Sequence, residues 1–228
     1  MSYYSQKIKS YVYMKSSIGS PMWLIGCEMK YGGIVRNVTR RKVSHLDPRA
    51  EIDIKKGGMT GGDRMKHHGY AKTYAKFLKP YINSSDSLVI AEFGILKGTG
   101  LAMWSELFPT SKIFGFDIDL SHINENMDYL ISRGAFNNAP ILHEFDQFLN
   151  NEKILSDILD HHKINICIDD GFHSDESILM TFESVRNVLS DSFVYFIEDN
   201  KTVYKKIIQK YQDVKVFSFD ELTVVTSA

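Results

Sequence analysis

The sequence is poor in cysteine and has no long apolar run. Its two cysteines, Cys27 and Cys167, lie far apart and match neither a disulfide framework nor the spacing of a metal site. No stretch approaches the ~20 apolar residues of a membrane-spanning helix, and the first residues lack the continuous apolar core of a secretory signal. These absences predict a cytoplasmic protein of a reducing compartment, without membrane insertion.

The sequence also has no marked excess of positive or negative charge. The 228 residues carry 27 basic and 28 acidic side chains, a formal net charge of -1. With no overall field to attract polyanions, we expect no nucleic-acid partner. A hydrophobic content of 43% can form a sizeable core. The length suits one α/β domain with an additional segment.

Composition divides the chain near residue 63. Residues 1–62 mix aromatic residues and glycines with a basic cluster of Arg36, Arg40, Arg41 and Lys42, and show no clear periodicity. We therefore predict an N-terminal extension over 1–62, serving as a substrate lid or an oligomer contact, and a domain over 63–228. The basic cluster could meet a phosphorylated acceptor, or form a solvated face or an oligomer contact.

The domain alternates short apolar runs with helical patterns. Strands are predicted at 87–94, 112–119, 140–146, 164–170 and 192–199. Helices are predicted at 68–81 (ended by Pro80), 99–107, up to about 133, 151–162, 175–189 and 201–211. The last runs, 214–219 and 221–227, are too close for a parallel crossover and must pair antiparallel. The pattern predicts a Rossmann-like, doubly wound, mostly parallel sheet ending in an antiparallel hairpin.

Polar groups follow the first three strands in an order that suggests a nucleoside-containing ligand. The first strand ends in EFGILKGTG (92–100), where Gly94 and Gly98 allow close backbone approach. Asp117, 23 residues after Gly94, can accept ribose hydroxyl protons. Asp146 and Gln147 follow the third strand and could meet an adenine amino group. Taken singly, each of these is equally consistent with a tight connection or an ordinary loop carboxylate.

Two acidic clusters follow the fourth and fifth strands. Asp169, Asp170 and His173 lie in one, and Glu198 and Asp199 in the other. Adjacent parallel strands would place them ~5 Å apart in the pairing direction, and a bound Mg²⁺ or Ca²⁺ would relieve the repulsion. Capping of the following helices is the alternative for the aspartates and for Asn200, but it does not explain Glu198 or His173.

EFGILKGTG followed by GFDID resembles motifs I and II of class I S-adenosylmethionine-dependent methyltransferases. The resemblance implies S-adenosylmethionine as cofactor, with Gly94 and Gly98 under its methionine part and Glu92 close by. Asp117 would then hold the ribose and Asp146 the adenine. The predicted cofactor-binding set is completed by Gln147, Asp169 and Asp63.

Residues 60–200, and in particular IDDGFH and FIEDN, resemble the metal-dependent macrolide-sugar O-methyltransferases of the macrocin and mycinamicin type. The resemblance implies that Asp170, Glu198 and Asp199 bind Mg²⁺ and that His173 is the catalytic base, with Asp170 also catalytic. Catechol-type methyltransferases use an Asp-Asn pair after the fifth strand instead, so Asn200 is an alternative to Glu198.

The segment GGDRMKHHGY (61–70) precedes the first helix of the domain. In the resembling families a similar stretch closes over the cofactor. Asp63, His67, His68 and Tyr70 are therefore candidates for contacts with cofactor or acceptor, and a polar loop is the alternative.

These features together predict an S-adenosylmethionine-dependent, Mg-dependent O-methyltransferase acting on a sugar or glycan-precursor hydroxyl. The partners expected are a small-molecule or saccharide acceptor and a possible second copy of the chain. One alternative is methylation of an amine or phosphoryl-containing metabolite in surface-polysaccharide decoration. An NAD-dependent oxidoreductase and a non-catalytic binding module are alternatives of other classes; the G-x-x-x-G-x-G spacing and the terminal hairpin disfavour the oxidoreductase.

Overall fold

The computed structural model describes residues 3–32, 37–45, 47, 49–56, 59–84 and 87–228. Its helices are α1 (Tyr3–Tyr13), α2 (Pro21–Tyr31), α3 (Glu51–Lys56), α4 (Ala71–Ile82), α5 (Thr99–Leu107), α6 (Ser121–Ser132), α7 (Glu152–Leu159), α8 (Asp175–Val185) and α9 (Val203–Lys210). Its strands are β1 (Asn37–Thr39), β2 (Met59–Gly61), β3 (Val89–Phe93), β4 (Lys112–Asp117), β5 (Ile141–Glu144), β6 (Ile164–Asp169), β7 (Leu189–Ile197), β8 (Val214–Phe219) and β9 (Leu222–Ser227). None of the helices in these ranges has the length and apolarity to cross a membrane.

The main sheet has seven strands in the order β5-β4-β3-β6-β7-β9-β8. Strands β3 to β7 pair in parallel, while β9 runs antiparallel to β7 and β8. The predicted mostly parallel sheet with a terminal antiparallel hairpin is therefore confirmed. The hairpin follows from the two residues that separate Phe219 from Leu222, because a parallel crossover needs a dozen or more.

The described chain groups into two compact units. The first comprises Met1–Asp86, Leu96–Thr110 and Asp119–Ala139, and the second Ser87–Ile95, Ser111–Ile118 and Pro140–Ala228. The predicted division of the chain at residues 62 and 63 stays a prediction.

The second unit contains the whole seven-stranded sheet with α7, α8 and α9. All five residues of β3 are buried, as expected for a central parallel strand covered on both faces. Phe93 stacks on Phe116 with ring centroids 4.7 Å apart and contacts Phe145 at 4.8 Å. Each such ring contributes roughly 1.5–3 kcal/mol by burial, so the core fixes the strand ends that carry the candidate residues.

The first unit includes two helices, α1 and α2, that the sequence pattern did not predict. They pack closely: a Cβ on Gly26 would lie 2.8 Å from Tyr13 Cβ, and the Ser10 hydroxyl donates to the Gly26 carbonyl at 2.8 Å. Helix α2 is buried along most of its length and so lacks an amphipathic period. Its start was nevertheless readable, because Ser20 caps the helix and Pro21 occupies its first turn.

The predicted end of α4 at Pro80 was wrong. The helix contains Pro80 and continues to Ile82. Proline interrupts one hydrogen bond to the preceding turn, but here only two residues follow it within the helix. Burial of Tyr74 and Leu78 on the inner face holds the remainder in place.

Candidate active site

In the second unit, the hydrogen bonds between neighbouring central strands continue into the loops at their carboxyl ends. The ladder continues past the strand ends, with Gly94 N–H donating to Phe116 O, Asp170 N–H to Phe93 O, and Glu198 N–H to Asp169 O at 2.8–2.9 Å. Strands β6 and β7 are parallel neighbours, as predicted. The two acidic clusters therefore emerge together at the carboxyl edge of the sheet, where ligands bind in open α/β folds.

Gly94 approaches the backbone of the next loop too closely for any side chain. Its φ is 84°, and a Cβ built on it would lie 2.5 Å from both the carbonyl carbon of Asp170 and the Cα of Gly171. Glycine is required here for its left-handed conformation and for the absence of a side chain. The close approach seen at Gly94 is therefore to the protein's own loop after β6, and the predicted approach to a ligand stays a prediction.

Three ionisable groups converge after β6 and β7. Potential ligand atoms of Asp170, His173 and Asp199 all lie within 4.8 Å of one another, with His173 Nε2 3.9 Å from Asp170 Oδ1. His173 and Asp199 both adopt positive φ, 64° and 53°. Such strain costs on the order of 1–3 kcal/mol per residue and concentrates at functional sites. Glu198, only 2% exposed, is not a member of this group in the described chain.

His173 carries an unusual buried atom. Within the described ranges, its Nδ1 is inaccessible to solvent and makes no hydrogen bond to protein. The other ring nitrogen, Nε2, lies 3.9 Å from Asp170 Oδ1, and an imidazole beside carboxylates fits a cation ligand or a proton acceptor. The residues present therefore suit a divalent cation bound through oxygen with one nitrogen donor.

The side-chain amide of Asn200 is engaged in hydrogen bonds within the protein. Its Nδ2 donates to His173 O at 2.9 Å and to Asp175 Oδ1 at 3.0 Å, and its Oδ1 accepts the N–H groups of Thr202 and Val203, both at 2.8 Å. Both ends of the amide are occupied, so Asn200 caps the entry to α9 and supports the loop that carries His173. This geometry favours the capping alternative for Asn200 over metal ligation.

The side chain of Gln147 organises the loop after β6. Its Nε2 donates to Asp169 Oδ1 at 2.7 Å and to Thr181 Oγ1 at 3.0 Å, and its Oε1 accepts Phe172 N–H at 2.9 Å. A Cβ on Gly171 would lie 2.5 Å from Gln147 Cδ. The sequence suggested contact with adenine; the geometry adds a positioning role that strand-end location alone could not reveal.

Asp169 is almost fully enclosed, with 1% of its surface exposed. Burial raises its pKa to about 6, against the opposing effect of hydrogen bonds from Gln147 and from the Tyr195 hydroxyl, the latter 3.0 Å from Oδ2. Both carboxylate oxygens of Asp169 thus have protein partners. The carboxylate of the neighbouring Asp170 is the more exposed of the two. The predicted cofactor contact of Asp169 stays a prediction.

The remaining cofactor candidates of this unit occupy the expected strand ends. Glu92 and Asp117 are buried, 2% and 6% exposed, at the ends of β3 and β4. Asp146 lies two residues beyond β5, where its Oδ1 accepts Phe148 N–H at 2.9 Å in a local turn.

In the first unit, Gly98 begins α5 with a φ of 75°. A Cβ there would lie 2.7 Å from Ile123 Cδ1 and 3.1 Å from Leu130 Cδ1 of α6. The preceding carbonyl, of Lys97, accepts from Asn126 Nδ2 at 2.8 Å. Gly98 thus allows α6 to pack directly against the glycine turn.

The segment 61–70 is also in the first unit and forms a compact turn. The Asp63 carbonyl accepts the N–H groups of His67 and His68, at 3.0 and 3.1 Å. His68 Nε2 lies 3.8 Å from Asp63 Oδ2, and its ring lies 5.4 Å from that of Tyr70. The four sequence candidates are therefore held near one another, and their contacts with cofactor or acceptor stay predictions.

This turn is anchored by Glu28 of α2, which the sequence analysis missed. The buried Glu28 carboxylate accepts Met65 N–H at 2.7 Å and Lys66 N–H at 3.2 Å. Burial raises its pKa to about 8, although the hydrogen bond from Met65 and the charge of Arg64 act in the opposite direction. A lone glutamate within a helix lacking a clear period gave no signal of this role.

We expect Glu28 to make stability pH-dependent. Since its folded pKa of about 8 exceeds the reference value of 4.5, its contribution is fully present below pH 4.5 and is lost as pH rises through about 8. Glu28→Gln, which mimics the protonated form, should remove this dependence. Urea denaturation of both proteins at pH 5 and 8 measures the change in the free energy of unfolding between the two pH values. An equal change in the wild type and in Glu28→Gln would contradict the assignment.

No protein-family model and no curated protein matches the sequence. Solved structures do match. The MycE methyltransferase from the mycinamycin biosynthetic pathway, in complex with Mg, SAH and mycinamycin VI, aligns with a TM-score of 0.56 and 19% identity, covering 72% of this chain and 50% of its own. The chain thus spans about half the length of MycE.

Two smaller proteins align over similar stretches. A putative O-methyltransferase from Klebsiella pneumoniae has a TM-score of 0.52 and 11% identity, covering 67% of this chain and 78% of its own. A putative caffeoyl-CoA O-methyltransferase from Staphylococcus aureus has a TM-score of 0.51 and 11% identity, covering 67% of this chain and 81% of its own. Together with the strand order and the terminal hairpin, these alignments show that the chain has the class I methyltransferase fold.

Proposed function

We propose that the chain is an S-adenosylmethionine-dependent O-methyltransferase, assisted by a divalent cation, that acts on a hydroxyl of a sugar or glycan precursor. The observation that carries this proposal is the convergence of Asp170, His173 and Asp199 at the carboxyl edge of a class I methyltransferase sheet. The similarity to MycE, which was crystallised with Mg and SAH, supports it.

The cofactor candidates have the properties that such a ligand requires. Gly94 brings the loops after β3 and β6 into direct contact, because a Cβ there would meet the backbone of Asp170 and Gly171, and by the sequence resemblance it would lie under the methionine part. Asp117 would accept the ribose hydroxyl protons, since a carboxylate at the end of the second parallel strand commonly does so. Glu92, Asp146 and Gly98 are further members of the proposed set, and the positively charged sulfonium is compatible with the surrounding carboxylates.

Asp170 and Asp199 are the proposed carboxylate ligands of the cation, with Glu198 or His173 as the third. When bound, a divalent cation would orient the acceptor hydroxyl and lower its pKa. The two aspartates are partly exposed, so they can meet an acceptor, whereas Glu198 is enclosed.

In the reaction, the acceptor oxygen forms a bond to the methyl carbon as the carbon–sulfur bond breaks, with the electron pair passing to sulfur. The hydroxyl proton must leave, and His173 is the proposed acceptor of that proton. A neutral imidazole is suited to this task near neutral pH. The Asn200 amide holds the His173 carbonyl and thereby fixes the ring's attachment point.

The direct test measures binding and turnover of the whole chain. Isothermal titration with S-adenosylhomocysteine should show binding that Asp117→Ala weakens by at least tenfold, because the ribose loses charge-assisted hydrogen bonds worth about 1.5–3 kcal/mol. Transfer of labelled methyl to a panel of sugar nucleotides and glycosides should be lost with a chelator and restored by Mg²⁺. Binding of NADH instead of S-adenosylhomocysteine would refute the proposal, and chelator-resistant transfer would refute the cation.

A further inference from the structure

Within the first unit, α6 contacts the glycine turn directly. Ile123 and Leu130 occupy the space that a side chain at position 98 would need, and Asn126 Nδ2 donates to Lys97 O at 2.8 Å. A shift of α6 would therefore move the backbone of this turn.

The same helix begins in the loop that follows β4. Asp119 comes two residues after Asp117, the proposed ribose ligand, and its Oδ1 accepts Ser121 N–H at 2.9 Å in the first turn of α6. Helix α6 thus connects two loops that carry proposed cofactor ligands, one at Gly98 and one just after Asp117.

Arg41, from the basic cluster of the N-terminal extension, holds this first turn. Its Nη2 donates to Ser121 Oγ at 2.8 Å and to Glu125 Oε1 at 3.1 Å, and lies 3.2 Å from His122 Nδ1. Its Nη1 also donates to Glu125 Oε1, at 3.1 Å. One guanidinium therefore connects three polar side chains at the start of α6, those of Ser121, His122 and Glu125.

The contact with His122 fixes the tautomer of that ring. Arginine can only donate, so Nδ1 must accept and the proton lies on Nε2. Nε2 faces Asp119 Oδ2 at 3.5 Å, which extends the chain of contacts from Arg41 to the loop after β4. The ring itself is enclosed, with 1% exposure.

Protonation of His122 would oppose this arrangement. Burial and then the charge of Arg41 lower its pKa, with Lys97 acting in the same direction, while Asp119 and Glu125 raise it. A proton on Nδ1 would face the guanidinium and break the contact. The neutral ring is thus the form that supports the connection.

The other described members of the cluster have local roles. Arg40 Nη1 donates to the carbonyls of Lys55 and Lys56 at the end of α3, at 3.0 and 2.6 Å, and Lys42 Nζ donates to Asp47 O at 3.2 Å. Arg36 lies outside the described residues. Arg41 is distinguished from Arg40 and Lys42 by its connection to α6.

We propose that Arg41 is a positioning residue for cofactor binding, which acts through Ser121, His122 and Glu125 on the first turn of α6 and through that helix on the two cofactor loops. Arg41 is not placed against the cofactor. The inference rests on the proposed function, because the role of these loops in binding S-adenosylmethionine belongs to that proposal.

The test compares Arg41→Ala with Arg40→Ala. Arg40 is the neighbouring arginine of the same basic cluster, and its Nη1 donates to the carbonyls of Lys55 and Lys56 at the end of α3 rather than to α6. We expect Arg41→Ala to raise the Kd for S-adenosylhomocysteine and the KM for S-adenosylmethionine roughly three- to thirtyfold, the usual range of such indirect coupling. The kcat should stay within about twofold, and Arg40→Ala should leave Kd unchanged.

A pH series adds a readout that a general loss of stability would not produce. Wild-type affinity for S-adenosylhomocysteine should fall more steeply at acidic pH than that of Arg41→Ala, because protonation of His122 breaks the contact with Arg41 in the wild type alone. Equal Kd values for wild type and Arg41→Ala, or equal weakening by both arginine variants, would overturn the inference alone. A wild-type chain that binds no S-adenosylhomocysteine would overturn the proposed function and the inference with it.

Discussion

Replacing Asp170 by asparagine is expected to abolish nearly all methyl transfer. The substitution removes one of the carboxylates that converge with His173 and Asp199. Loss of several kcal/mol of charge stabilisation corresponds to a fall in kcat of about a thousandfold. Affinity for Mn²⁺, followed by electron paramagnetic resonance, should fall in parallel, whereas affinity for S-adenosylhomocysteine should change little.

Asp213→Asn is the matched control for Asp170→Asn. Asp213 is an exposed carboxylate of the same unit, paired with Arg186 at 2.7 Å, and an exposed pair of this kind contributes little to stability. Its variant should retain full activity. If Asp170→Asn also retained metal affinity and activity, the cation site would have to lie elsewhere.

Glu198→Gln separates the two possible ligand sets. The sequence resemblance implies Asp170, Glu198 and Asp199, whereas the geometry groups His173 with the two aspartates. A large loss of Mn²⁺ affinity in Glu198→Gln would favour the first set. Preserved affinity in Glu198→Gln, with loss in His173→Ala, would favour the second and would leave the proton acceptor to be identified.

Gly94→Ala is expected to have the largest effect among single-methyl substitutions. The added Cβ would meet the backbone of Asp170 and Gly171 rather than a side chain that could rotate away. To this is added the left-handed conformation, with φ of 84°, which costs an alanine about 1–2 kcal/mol. We expect a loss of more than about 4 kcal/mol in the free energy of unfolding, or a displaced loop that no longer binds cofactor.

Gly69→Ala isolates the contribution of backbone conformation. Gly69 has a similar φ of 79°, but a Cβ there would meet nothing within 4 Å. Its variant should lose only about 1–2 kcal/mol in urea denaturation. A loss in Gly94→Ala no greater than in Gly69→Ala would mean that the two loops are not in close contact.

Much of the fold could be predicted because its signals are local. Helix α5 has the predicted limits, and strand β6 differs from prediction by one residue, since apolar runs and glycine punctuation depend only on neighbouring residues. The parallel pairing of β6 and β7 followed from alternation with helices. Helix α2 was missed because its burial removes the amphipathic period, and α1 was missed because its large apolar side chains Ile8, Tyr11 and Val12 are exposed and mark no inner face.

The sequence by itself determined the order of elements from α4 onward, the antiparallel hairpin and the strand ends at which Gly94, Asp117, Asp170 and Asp199 lie. Only the tertiary structure decided which side chains interact there. In the folded chain, Gln147 is hydrogen-bonded to Asp169 at the end of β6, and Asn200 to the first residue of α9. Glu28 and Arg41 are hydrogen-bonded to segments that are distant in sequence. The physical reason is that strand position follows from short-range periodicity, whereas hydrogen-bond partners are chosen by residues that folding brings together from far along the chain.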